Sequence, residues 1–250
     1  MLSEKPWKLE SVALLMTALL MSLFIGMSLA MVLEQFLSFN SQGDKMFVQF
    51  LLSSLSFQGV ALVLVSLFLK QHDQSWLRLL GLNTPGASRA VGLGLLVGLA
   101  VVPVALLLNF FSAELIKLLH MTPEDQPTIK VLQLTSGRGQ RICFGVAAIL
   151  VAPVVEEVLF RGILYPTVKQ LGFPKLALYG SSLLFAAIHS NLMTFIPLTF
   201  FAMVLIALYE KTDNLMAPIS AHFFFNAVNF SLFIYQSDLE HWLKTFRERI

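Results

Sequence analysis

Residues 153–162 read PVVEEVLFRG and place two adjacent carboxylates and a guanidinium inside a strongly apolar run. That run extends from Ile142 to about Leu164. About 20 apolar residues suffice for a helix to span a bilayer, so the segment predicts a transmembrane helix. An ionisable side chain at membrane depth costs about 2.5–3.5 kcal/mol on insertion scales and usually marks a functional site. The stretch therefore predicts a membrane fold and the position of its chemistry.

The composition of the whole chain is that of a membrane protein. Its 250 residues are 56% hydrophobic and only 13% charged, with a mean hydropathy of +0.76. A soluble domain usually carries about 25% charged residues. The net charge of +2 indicates no nucleic-acid partner, and the single Cys143 excludes an internal disulfide and a multi-cysteine metal site.

Other apolar segments complete the predicted bundle. We expect an all-α, polytopic integral membrane fold of about seven transmembrane helices, six to eight by span length, as a single domain over residues 1–250. With residues 142–164, the predicted spans are 14–33, 47–69, 91–111, 176–190, 195–209 and 217–235.

The segments between the predicted spans are more polar. Residues 76–82 predict a short amphipathic helix at the membrane interface, anchored by Trp76. Two prolines and two acids within 121–127 favour an extended loop over 112–141. The charged tail, 236–250, has apolar residues at helical spacing and is expected on the membrane surface.

Helical spacing separates the charged residues of the opening stretch. Glu157 and Arg161 are four residues apart, so they share a helix face and can form an ion pair that lowers the cost of burying both. Glu156 lies about 100° round the helix from Glu157 and is free to face a cavity. Pro153 removes a backbone donor and can bend the helix there.

Two later predicted helices carry further polar side chains. His189 closes the helix 176–190, and His222 and Asn226 lie four residues apart on one face of the helix 217–235. One interpretation is a polar plug that only fixes helix packing. The other is a hydrolytic site, because a carboxylate in an apolar pocket gains basicity and can take a proton from water. Histidine and asparagine could then donate to the oxyanion formed at a peptide carbonyl.

Motifs of other membrane proteases do not occur in the sequence. It contains no His-Glu-x-x-His, Gly-x-Ser-Gly or Gly-x-Gly-Asp. A zinc site built from Glu and His stays possible, since those residues bind zinc. The spacing demands no metal, however, and we predict a site without a cofactor.

Three motifs in order give the chain its resemblance to a known family. They are EEVLFR at 156–161, FAAIH at 185–189 and HFFFN at 222–226. This set resembles the CAAX prenyl protease and bacteriocin-processing (CPBP, or "Abi") family of intramembrane proteases. The resemblance covers a motif core of about residues 145–230.

The resemblance implies roles for the motif residues. Glu156 would be the general base that activates water, with His189 as its partner. His222 and Asn226 would form the oxyanion hole. The family was long classed as metalloproteases, but its better-understood members resemble metal-free, glutamate-dependent enzymes, and we follow that view.

The remaining motif residues, Glu157 and Arg161, would be supporting residues of the first motif. The resemblance thus implies an intramembrane endopeptidase acting on a peptide or membrane-protein substrate. We interpret the chain as a protein of the bacterial plasma membrane, where a prenylated substrate is not expected. Two alternatives are a non-catalytic bacteriocin-immunity or scaffold protein that binds a partner in the same cavity and, less favoured, a proton-coupled transporter.

Overall fold

The fold is described by a computed structural model over residues 2–39, 41–135 and 137–235. Within these ranges the secondary structure is helical and contains no strand, which confirms the predicted all-α membrane bundle. Six helical segments in the same ranges are long and apolar enough to cross a membrane, and the chain is an integral membrane protein. The six spans are Leu9–Glu34, Gln42–Gln71, Ala87–Leu118, Arg138–Gln170, Leu192–Thr212 and Met216–Ile234.

Twelve α-helices make up the described part of the chain, and short π-helical segments interrupt two of the spans. The helices are α1 (Leu9–Glu34), α2 (Gln42–Ser54), α3 (Val60–Gln71), α4 (Trp76–Leu80), α5 (Ala87–Leu118), α6 (Pro127–Leu134), α7 (Arg138–Gly145), α8 (Ala152–Glu157), α9 (Tyr165–Gln170), α10 (Pro174–Ala187), α11 (Leu192–Thr212) and α12 (Met216–Ile234).

Six spans fall inside the predicted range of six to eight. The predicted span 176–190 is instead the shorter helix α10, which has 14 residues. At 1.5 Å per residue it is about 21 Å long, less than the hydrocarbon thickness of about 30 Å. The helix stops before Ser190, whose φ of 50° is left-handed.

The prediction of an extended loop over 112–141 is wrong. Helix α5 runs on to Leu118, and α6 and the start of α7 lie within the same stretch. Pro127, taken from the sequence as a helix breaker, occupies the first turn of α6. A proline is tolerated there because the N–H of that position has no partner inside the helix.

The short helix predicted at Trp76 is present as α4. The Ser75 hydroxyl accepts a hydrogen bond from the Arg78 N–H at its N-terminus. Gly81 ends the helix with a φ of 75°, a conformation that glycine adopts at little cost. The predicted surface helix at 236–250 lies outside the described residues.

Helix α5 packs closely along α12 and fixes its position. A Cβ atom on Gly94 would overlap the Ser220 hydroxyl and the Ala217 carbonyl oxygen. A Cβ on Gly98 would lie 2.8 Å from the Ala221 carbonyl oxygen. Small residues thus allow the two backbones to approach, as is typical of membrane helix pairs.

The span Arg138–Gln170, called the motif helix below, is not a continuous α-helix. Two π-helical segments, Val146–Val151 and Val158–Leu164, separate α7, α8 and α9. Such segments are rare in proteins and frequent at functional sites. The six residues of α8 between them include both Glu156 and Glu157.

Candidate active site

The two charges at the centre of the motif helix form a buried ion pair. Arg161 Nη1 donates to Glu157 Oε1 at 2.9 Å, and the side chains are 1% and 0% exposed. The pair predicted from the four-residue spacing is therefore present. Arg161 Nη2 also donates to the Ala202 carbonyl on α11, at 3.2 Å, so the guanidinium joins two spans.

His222 on α12 lies between the two adjacent carboxylates. Its Nδ1 is 2.8 Å from Glu157 Oε1, and its Nε2 is 3.8 Å from Glu156 Oε2. The ring is buried, at 3% exposure. Because an ionised carboxylate only accepts hydrogen bonds, the contact with Glu157 assigns a hydrogen to Nδ1 and leaves Nε2 facing Glu156.

Glu156 differs from its neighbour in its surroundings. Its side chain is 14% exposed, whereas the Glu157 side chain is completely buried. The Oε2 atom of Glu156 is itself buried and has no hydrogen-bond partner among the described residues. Glu157 Oε2 is also without a partner, so the two acids differ through Glu157 Oε1, which accepts from Arg161 and His222.

His189 stands apart from the other candidate residues. It lies in the turn after α10, and its Nδ1 donates to the Phe185 carbonyl at 2.7 Å. In the described part of the chain, neither a hydrogen bond nor an ion pair joins it to Glu156. The Phe185 ring lies close to both histidines, with centroids 5.0 Å from His189 and 5.8 Å from His222.

Asn226 lies one helical turn after His222 on α12. Its side-chain amide donates to the Ala148 carbonyl of the motif helix at 2.8 Å. The amide carries two N–H groups, so one of them stays available for a second acceptor. Asn226 is half-buried.

Phe185 is a site residue that sequence reasoning quoted within a motif but gave no role. Its ring is completely buried and stacks 4.6 Å from the Arg161 guanidinium. Phe201 on α11 meets the His222 ring edge-on at 5.4 Å. The signal for Phe185 was its fixed spacing before His189, whereas nothing in the sequence singled out Phe201.

Trp7 is a second contact that the sequence did not predict. Its indole N–H donates to the Gly162 carbonyl of the motif helix at 2.8 Å. The ring also packs against Phe68 and His72 at the end of α3. The residues before α1 thus bind directly to the helix that carries the carboxylates.

The segment between α5 and α6 contacts the turn that follows α10. Asn191 Nδ2 donates to the Glu124 carbonyl at 2.8 Å, and Gln126 Nε2 donates to Thr194 Oγ1 at 2.9 Å. Lys130 donates a hydrogen bond to the Glu124 carboxylate, which holds the pKa of that carboxyl below its usual range. These bonds tie the turn to the surface segment beside it.

The site residues do not form a metal centre. Within the described residues, no three His, Cys, Asp or Glu side chains are grouped so that they could hold one ion. A zinc site usually needs three protein ligands. The Oε1 atom of Glu157 is already occupied by Arg161 and His222. A site without metal stays our prediction.

A comparison with protein families identifies the second half of the chain. Residues 138–228 match the model described as Rce1-like, type II CAAX prenyl endopeptidase. This segment is similar to the Rce1-like family. The Rce1-like match contains all three motifs and nearly coincides with the predicted motif core, 145–230, so the resemblance found in the sequence is confirmed. The family supports a membrane peptidase of the CAAX-protease type.

A curated bacterial protein is similar to part of the chain. The uncharacterized protein YpbD of Bacillus subtilis (strain 168) is 37% identical to it over 83 residues. The aligned residues are 32% of this chain and 40% of YpbD, so less than half of either protein is compared. No solved structure matches the chain significantly.

Proposed function

We propose that this protein is an intramembrane endopeptidase of the bacterial plasma membrane that hydrolyses a peptide bond with water. Glu156 is the general base, and His222 and Asn226 stabilise the oxyanion. Glu157 and Arg161 hold His222 in place. The Rce1-like match supports a peptidase at the level of the family.

One observation carries the proposal, namely the position of His222 between two carboxylates within the membrane spans. It is 2.8 Å from Glu157 and 3.8 Å from Glu156. A role in packing alone would be served by the buried pair of Glu157 and Arg161. It gives no reason for a second carboxylate whose Oε2 has no hydrogen-bond partner in the described chain.

The proposed role requires His222 to donate through both ring nitrogens. Its Nδ1 donates to Glu157, so Nε2 can donate to an oxyanion only if the ring is an imidazolium.

The proposed reaction uses no oxidant and consumes no net proton. Glu156 accepts a proton from water while the water oxygen bonds to the peptide carbonyl carbon. The oxyanion that forms accepts hydrogen bonds from His222 Nε2 and from the second N–H of Asn226. Glu156 then gives its proton to the amide nitrogen as the C–N bond breaks, which yields a carboxylic acid and an amine.

His189 has a separate role in the proposal. Its Nδ1 is held by the Phe185 carbonyl, so Nε2 is the ring atom that can meet water or substrate. We assign it the second contact to the attacking water, as the family resemblance implies. Because neither a hydrogen bond nor an ion pair joins His189 to Glu156 in the described chain, the proposal needs substrate or a movement of the turn to bring the two together.

The experiment is a cleavage assay on the purified full-length chain in detergent. Peptide libraries and a farnesylated CaaX peptide are incubated with protein, and products are read by mass spectrometry. Glu156→Gln is expected to lower kcat by about 10²–10⁴-fold, the contribution of a general base. Asn226→Ala is expected to lower it by about 10²–10³-fold, the contribution of one oxyanion donor.

Glu114→Gln is the matched control for these variants. It removes a carboxylate from an exposed ion pair with Lys117 on α5 and should cleave like the wild type. If Glu156→Gln also cleaves like the wild type, the mechanism is wrong. If the wild type cuts nothing while Glu156→Gln retains biological function in cells, a binding or immunity role replaces the enzymatic one.

A further inference from the structure

The backbone hydrogen bonds of the motif helix change register just before Pro153. At the end of the π-helical segment Val146–Val151, the Ala152 N–H donates to the Ala147 carbonyl, five residues back. In a regular α-helix, the Ala152 N–H would instead reach the Ala148 carbonyl. The next residue, Pro153, has no N–H to offer. The Ala148 carbonyl therefore has no backbone donor in either the α-helical or the π-helical hydrogen-bonding pattern.

The side chain of Asn226 takes this freed carbonyl. Its amide donates to Ala148 O at 2.8 Å and so joins α12 to the motif helix. A buried carbonyl is rarely left unpaired, so the break in one helix creates the acceptor that the other helix uses. The bond also fixes the orientation of the Asn226 amide against the motif helix.

A second proline of the motif helix also leaves a carbonyl without its α-helical donor. The segment Val158–Leu164 ends with the Tyr165 N–H donating to the Phe160 carbonyl, and Pro166 follows. Pro166 lacks the N–H that would reach Gly162 in an α-helix. The Gly162 carbonyl accepts from Trp7 instead. Pro166 is thus a matched control, since its freed carbonyl binds a side chain away from α12.

We propose that Pro153 is a positioning residue for Asn226. Because Pro153 has no backbone N–H, the Ala148 carbonyl stays available to the Asn226 amide. The bond between them orients the remaining N–H of that amide toward the reacting carbonyl. The catalytic part of this statement rests on the proposed function. The structural part, that Pro153 sets the hydrogen bond of Asn226, stands without it.

The substitution Pro153→Ala tests both parts. Alanine restores an N–H that competes for the freed carbonyl. Because alanine is also a much better helix former than proline, the variant should unfold at the same temperature as the wild type or higher. We expect kcat to fall about tenfold to 10²-fold, within the loss for one oxyanion donor, while KM changes less than about twofold. A merely structural proline would instead show lower stability together with lower activity.

A double-mutant cycle tests whether the effect of Pro153→Ala on kcat depends on Asn226. Pro153→Ala should lower kcat in the wild-type background and have little further effect in Asn226→Ala, because the donor it misplaces is already gone. Pro166→Ala should lower kcat by the same small factor in both backgrounds. Equal losses for Pro153→Ala in the two backgrounds would overturn the proposal.

Side-chain amide NMR of ¹⁵N-asparagine-labelled protein separates this inference from the proposed function. The Asn226 amide signals should shift in Pro153→Ala and stay in place in Pro166→Ala. That result supports the positioning role even if no cleavage is found. Unchanged Asn226 signals in Pro153→Ala reject it even if the enzyme is active. If neither Pro153→Ala nor Pro153→Val folds, Pro153 is required for folding and the proposal is also rejected.

Discussion

Glu157 Oε1 receives two hydrogen bonds, one from Arg161 and one from His222. A single oxygen thereby connects the motif helix to α12 and, through the guanidinium, to the Ala202 carbonyl on α11. Removing this oxygen would leave a guanidinium buried without its counter-charge. Glu156, in contrast, forms no ion pair with Arg161 among the described residues and lies 3.8 Å from His222. The two neighbouring acids should therefore respond differently to substitution.

Glu157→Ala is predicted to destabilise the protein by about 3–5 kcal/mol, the usual cost of breaking a buried ion pair. Glu156→Ala should cost much less, because its side chain is partly exposed and makes no ion pair with Arg161. The measurement is the unfolding free energy in detergent, by denaturant titration. Equal destabilisation by the two variants would contradict the assignment of Glu157 as the structural acid.

Phe185→Ala is predicted to destabilise the protein by about 3–5 kcal/mol, as for other buried aromatic residues. It should also lower activity, since the ring packs against Arg161, His189 and His222. Phe173→Ala is the control, because its ring is 58% exposed and lies outside the site. Similar losses of thermal stability in both variants would show that the Phe185 contacts contribute little to the stability of the protein.

The spacing of residues along the sequence predicted the contacts within one helix but not those between helices. Glu157 and Arg161 are four residues apart, so the sequence alone predicted their pair. Glu157 and His222 are 65 residues apart, and only the packing of α12 brings them together. The bond from Asn226 to Ala148 required a break in register that the sequence marked only by a proline. The catalytic roles of these residues stay predictions.

At the level of elements, the contact between α5 and α12 holds two candidate residues in place. Gly94 and Gly98 allow α12 to approach, and α12 carries His222 and Asn226. Glycines at this spacing are typical of close helix packing, but they do not identify the partner helix. Partner choice depends on long-range packing, and small residues at helical spacing indicate only that some helix lies close.

Gly94→Ala is predicted to destabilise the bundle and reduce activity, because its Cβ would overlap Ser220 and the backbone of Ala217. Gly92→Ala, two residues earlier on α5, should be neutral or stabilise by about 0.5–1 kcal/mol, since a Cβ there meets nothing within 4 Å. Thermal unfolding and cleavage assays on both variants make the comparison. An equal effect of the two substitutions would contradict the described packing.

At the level of the whole molecule, the match to the Rce1-like family model covers residues 138–228, and the first half of the chain lies outside it. The sequence predicted the membrane class and the motif core because composition and motif spacing are local properties. The lengths of α10 and of the segment after α5 were not predicted well, since helix ends depend on tertiary contacts. The first half supplies α5 and Trp7, which hold α12 and the motif helix.

Cleavage is predicted to survive metal removal. His222 lies 3.8 Å from Glu156 and 2.8 Å from Glu157. The Oε1 atom of Glu157 already accepts a hydrogen bond from Arg161. Treatment with 1,10-phenanthroline followed by buffer exchange should leave kcat within about twofold of its starting value, a loss below about 0.4 kcal/mol. Loss of activity that stoichiometric zinc restores, with zinc found in the purified protein, would overturn the metal-free mechanism.

Trp7 gives the protein an optical reporter at the motif helix. Its indole N–H bonds to the Gly162 carbonyl, and indole emission responds to the hydrogen bonding and polarity around that group. The chain has three tryptophans, so replacing Trp76 and Trp242 by phenylalanine would leave Trp7 as the sole emitter. A change in the wavelength or lifetime of its fluorescence on adding a peptide would then report, in real time, movement of the helix that carries Glu156 and Glu157.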